Sequence, residues 1–174
     1  MTTLESLSEV PMEDQLDILR KNWVSLDARW QFAAFTELGV EKGNQINQEV
    51  ARQSGKTMMY RMMTALGYDR IDNIGEFYQI WKTAMDFYWP PPRFEYALKQ
   101  DGIRTFKLTV TRCFTSENVK KVGIEEVYEC GCRGMREGWF EAMGVSAEQE
   151  INKSLKDGDP HCEICIILKS IGNI

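Results

Sequence analysis

Five cysteines carry the most evident chemistry in this chain of 174 residues: Cys113, Cys130, Cys132, Cys162 and Cys165, all of them after residue 112. In a reducing compartment such thiols serve as metal ligands, as nucleophiles, or as small buried apolar residues. Cys162 and Cys165 have the spacing of a metal or redox pair, but they lie in the alternating run CEICIIL. Residues three apart on a strand point to opposite faces, so the two thiols are not expected to act together. Cys162 shares its face with Ile164, Ile166 and Leu168, whereas Cys165 shares one with Glu163. A thioredoxin-type pair would open a helix instead. Cys130-Gly131-Cys132 is spaced too closely for half of a zinc ribbon, and on a helix its two side chains would diverge by about 200°. Cys113 closes the run KLTVTR; strict alternation puts it opposite Phe106, Leu108 and Val110 unless the strand bulges there.

Two carboxylates are candidates for proton transfer. Asp27 lies between Trp23 and Trp30 near one helical face, where an apolar setting would raise its pKa, and Glu37 lies further along that face. The ordinary alternative is an exposed or paired Asp27 beside core tryptophans. His161 is next to Cys162, but neighbours on a strand face opposite ways, which argues against it as a base.

The elements that must position these groups follow from hydrophobic period. Helical spacing starts at Glu13, and a second helical stretch, LDARWQFAAFTEL, stops at Gly39. Gly43 and Asn44 open another helix, ended by Gly67, and a fourth covers about Ile74 to Trp89 before Pro90-Pro91-Pro92 blocks it. The period then falls to two. Phe94, Tyr96 and Leu98 pair across Gln100-Asp101-Gly102 with Phe106, Leu108 and Val110. Residues 124 to 143 return to helix, with Gly144 as the stop, and a second hairpin turns at Asp157-Gly158-Asp159-Pro160. The expected fold is α+β, one domain over 1–174. A helical layer, 12–89, packs on a four-stranded antiparallel sheet from a hairpin-helix-hairpin unit, 92–169. A ligand pocket belongs between layer and sheet.

Charge narrows the partners. With 26 acidic and 21 basic residues the net charge is −5, and no basic stripe suits a nucleic acid. No export signal and no run of about 18 apolar residues is present, so the expectation is a cytoplasmic protein with no membrane partner. A small-molecule substrate or ligand is the expected partner, and a homodimer is left open.

VTRC at 110 to 113, the Gly-rich helical stretch with Cys130 and Cys132, and SLKDGDPHCEICI at 154 to 166 together resemble the L-2-amino-thiazoline-4-carboxylic acid hydrolase-like family. RKNWVSLDARWQFAAFTELGVEKGNQINQEV resembles helical segments of related proteins, and the second hairpin is similar to vinyl-reductase-type (4-vinyl reductase) ligand-binding domains. The resemblance implies hydrolytic opening of a cyclic thiazoline to a carbamoyl-cysteine. It also implies a site built from Cys113, Cys162 and either Cys130 or Cys132. Three converging thiolates suit an open-sided metal centre, zinc or an iron-sulfur cluster, with Asp27 or Glu37 delivering a proton. One thiolate acting as nucleophile needs no metal. The alternative is a non-catalytic small-molecule sensor or accessory protein with a structural metal. This chain departs from the family pattern at Arg133-Gly134-Met135-Arg136, where relatives carry an acidic residue and the nearest here is Glu137. It departs again at Ile164, which replaces an aromatic.

Overall fold

The computed structural model describes residues 6–172, which form two compact units, the first ending at Gly43 and the second beginning at Asn44. In the first unit, α1 (Met12–Leu38) is one helix where the sequence suggested two. No glycine or proline interrupts that span, and it stops at Gly39, whose φ of 81° lies in the left-handed region. α2 (Val40–Leu66) follows at once and runs on into the second unit, so the four helices expected before the prolines are three.

In the second unit, Asn73 caps α3 (Ile74–Tyr88) by accepting the Glu76 amide at 3.0 Å. The sheet comprises β1 (Phe94–Gln100), β2 (Thr105–Cys113), β3 (Val145–Lys153) and β4 (Cys162–Ile171). Its order is β1-β2-β4-β3 and every pair is antiparallel, so the two expected hairpins join through β2 and β4. Two helices lie between β2 and β3 in the chain, α4 (Phe114–Val122) and α5 (Cys132–Ala142). The single helix expected over 124–143 is thus confined to α5, and α4 is an additional element.

One face of the sheet presents Phe106, Leu108, Ile164, Ile166 and Leu168, all buried. Against it pack Phe77 and Trp81 of α3 and Phe140 of α5, with Phe77 and Phe106 centroids 5.3 Å apart and Trp81 edge-on to Phe140 at 5.5 Å. Met59, Met62 and Met63 of α2 join this core. α2 and α5 cross at near backbone contact. A Cβ on Gly138 would collide with the Arg52 carbonyl, one on Gly55 with the Met135 carbonyl, and one on Gly134 would lie 2.5 Å from the Gln48 carbonyl oxygen. Glycine spacing on α5 therefore fixes how deep its first turn sits. Among the described residues, no helix is long and apolar enough to cross a membrane.

Candidate functional site

Cys113 reaches the core face through a bulge. Phe94 pairs with Cys113 and Glu95 with Arg112, but Tyr96 pairs with Val110, so Thr111 is an extra residue on β2. The inserted residue reverses the alternation, and Cys113 ends 7% exposed on the same side as Phe106, Leu108 and Val110. On β4, Cys162 lies opposite Val110, and its sulfur accepts the Leu155 amide at 3.3 Å, tying the preceding turn to the strand. Asp159 closes that turn by accepting the Ser154 amide at 2.8 Å. Cys165 pairs with Lys107 and Glu150, on the other face from Ile164 and Ile166.

Cys130 sits on an irregular stretch, 123–131, that owes its course to α2. Asn44 donates to the Val127 carbonyl at 2.7 Å and accepts the Glu129 amide at 3.0 Å. Asn47 donates to the Glu129 carbonyl at 3.2 Å and Gln48 to that of Cys130 at 2.9 Å. A non-helical segment must bond its backbone polar groups somewhere, and three amide side chains on one helical face provide for this one. Their positions, 44, 47 and 48, are the sequence signal that periodicity in apolar residues alone passes over. Cys132 then begins α5.

These elements surround a small open cavity of about 70 Å³, lined by Cys113, Cys130, Cys132 and Cys162. Phe94, Val110, Tyr128, Ile151 and Ile164 give it apolar walls, and Arg133, Arg136 and Lys156 give it charge. Cys165 is not among its lining residues. Asp27 and Glu37 lie on α1, in the first unit; partial desolvation raises the Asp27 carboxyl above its ordinary value. Arg136 and Lys156 had no place in the sequence-based site.

The thiols differ in proton affinity. The Cys132 thiol donates to the Cys130 sulfur, which also accepts the Cys132 backbone amide at the start of α5; Arg136 and Lys156 add favourable charge. The first proton therefore leaves this pair below the ordinary thiol range, whereas holding the second drives Cys132 upward. Burial pushes Cys113 up to about 11 and raises Cys162 as well. The donor set is thus a hydrogen-bonded pair with two flanking neutral thiols. Among the described residues, no group of three or more His, Cys, Asp or Glu side chains is arranged to hold a metal ion.

Residues 29–166 match the family profile described as L-2-amino-thiazoline-4-carboxylic acid hydrolase. The chain belongs to this family. No curated relative matches it. Among solved structures it is similar to a trafficking protein particle complex subunit 3 from Naegleria fowleri covalently bound to palmitic acid. There the TM-score is 0.60 and the identity 15%, over 93% of this chain and 99% of that one. It is also similar to the phenol-responsive sensory domain of the transcription activator PoxR with phenol, with a TM-score of 0.57 and 14% identity over 83% of this chain and 73% of that one. At such identities the likeness is one of fold. Membership in the hydrolase family and the α+β architecture agree with the sequence reading.

Proposed function

We propose that this family member is a thiol-dependent hydrolase that opens a small cyclic thiazoline, with Cys130 as nucleophile and Cys132 as proton donor. The observation that carries the reading is that Cys130 and Cys132 line one cavity together with Arg136 and Lys156, a setting that favours a thiolate on Cys130 beside a protonated Cys132. The Cys130 thiolate adds to the ring carbon between nitrogen and sulfur. The ring carbon–sulfur bond breaks, and the departing sulfur takes the Cys132 proton. Water then adds to the same carbon, expels the Cys130 thiolate and leaves a carbamoyl group on the opened product; the protons of that water go to Cys132 and to nitrogen. The sum is substrate plus one water.

The test is release of product thiol from L-2-amino-thiazoline-4-carboxylic acid, followed with a thiol reagent after acid quench. Wild type should turn over and continue to do so after exhaustive chelation, while Cys130→Ala should be inactive. Full activity in Cys130→Ala, or loss on chelation with recovery on adding zinc, would overturn the reading. The apolar walls and the likeness to a phenol-responsive domain favour one other reading, a ligand-binding protein without turnover. It predicts a melting temperature raised by the thiazoline with no product formed.

A further inference from the structure

The cysteine cavity has three cationic residues in its lining, Arg133, Arg136 and Lys156, and neither an aspartate nor a glutamate, within a chain of net charge −5. Two of the cations are already partnered. Arg133 donates to Glu137 at 3.0 Å, and Lys156 meets Asp157 and the Glu125 carbonyl. Arg136 differs. It is 8% exposed, and its one hydrogen bond among the described residues is from Nε to the neutral Gln149 Oε1 at 2.6 Å. No carboxylate lies within ion-pair distance of it among those residues; the negative influences on it are the thiols of Cys132, Cys130 and Cys162, with Glu137 a smaller one. A guanidinium cannot shed its proton, so burying it without a full counter-charge is costly unless an anion completes the site.

We propose that Arg136 is the receptor for a carboxylate on the ligand, taken as a bidentate pair by its two Nη groups while Gln149 fixes the plane of the guanidinium. Arg136 lies four residues after Cys132 on α5, on the same helical face and one turn away. A carboxylate held there places the ring it is attached to beside the Cys130–Cys132 pair. Naming a ring-bound carboxylate rests on the hydrolase reading; the receptor itself depends only on the cationic cavity. A planar fork suits a carboxylate in a way that a lysine does not.

The experiment measures binding by calorimetry in the Cys130→Ala background, where the proposed turnover cannot proceed. The probes are L-2-amino-thiazoline-4-carboxylate, the corresponding carboxamide, and 2-amino-2-thiazoline. The carboxylate should bind about ten- to a hundredfold tighter than the carboxamide, as a charge-assisted pair at a buried site implies. Arg136→Gln should erase that preference, Arg136→Lys should keep part of it, and Gln149→Leu should weaken it. Equal affinity for carboxylate and carboxamide, no binding by any probe at millimolar concentration, or a preference that survives Arg136→Gln would each overturn the proposal. Should Arg136→Gln fail to fold, the preference in the Cys130→Ala background and its reduction in Arg136→Lys decide. Failure of the hydrolase reading alone would appear as absent product in wild type with the carboxylate preference intact.

Discussion

Cys130 and Cys132, one residue apart, line the same cavity at the start of α5, where the Cys132 side chain and amide lower the proton affinity of the Cys130 sulfur. Helical geometry would have sent these side chains apart, and it does not apply because Cys130 precedes the helix. Gln48 holds the Cys130 carbonyl, and Gly131 gives the tight passage into the first turn, where its own Cβ would lie 3.3 Å from Ala51 Cβ. The pairing is thus set by contacts with α2.

Thiolate formation should therefore depend on Cys132. Alkylation of Cys130 by iodoacetamide, read by peptide mass spectrometry, should rise with a midpoint below the value of about 8.5 that an unperturbed thiol would show. Lowered affinity for the proton means reactivity gained as pH rises through the low value. Cys132→Ala removes the thiol donor and should move the midpoint up by about one unit or more. An identical midpoint in both proteins would show that the two sulfurs are not coupled.

Gly138→Ala should destabilise the second unit, because the added Cβ meets the Arg52 carbonyl and lies 2.7 Å from the Lys56 nitrogen, both backbone atoms that cannot rotate away. Overpacking of this kind costs about 3 kcal/mol, a fall of roughly 6–12 °C in melting temperature for a chain of this size. Little change would mean that α2 and α5 slide apart freely.

What the sequence made legible has short range. The hairpin at 100–105, the face shared by Cys162, Ile164 and Ile166, and the stop at Gly144 (φ 66°) each depend on period two or on one turn residue. The bulge at Thr111 was legible only as a tension over Cys113, because an extra residue shows itself in the pairing partner, β1, and not in β2. The path of 123–131 was not legible, since its hydrogen bonds come from Asn44 and its neighbours more than 80 positions earlier. Arg136 entered only as part of a departure from the family pattern, and nothing in the local sequence announces its burial.

Cys113 predicts an alkaline weakness. Burial raises its thiol from 9.0 to about 11, so the native state binds this proton more tightly than the unfolded chain does. Stability from this group is full below pH 9 and is lost as pH rises through 11, about 3 kcal/mol in all. Cys113→Ser does not titrate in this window. Its stability deficit against wild type, measured by urea unfolding at pH 8 and pH 11, should shrink at the higher pH. A constant deficit would place Cys113 outside the linkage.

Asn44 offers the sharpest test of how the site is held, because one side chain both gives and takes. It is 4% exposed, donates to Val127 and accepts from Glu129. Asn44→Ala leaves a buried carbonyl and a buried amide unpaired and should cost about 2–3 kcal/mol. Its effect on turnover should exceed that of a general loss of stability, since the segment it releases carries Cys130. Asn44→Asp separates the two bonds. The carboxylate still accepts the Glu129 amide but repels the Val127 carbonyl, so at neutral pH it should be no better than Asn44→Ala. When protonated, the same side chain can donate again. Its folded pKa is then raised above the ordinary value of about 3.9, so the rescue is present at acid pH and lost as pH rises through the raised value. Unfolding curves for wild type and both variants at pH 4.5 and pH 7.5 measure this. Asn44→Asp should approach wild type only at pH 4.5. Equal deficits at both pH values would mean that the donated bond to Val127 contributes nothing to holding the segment.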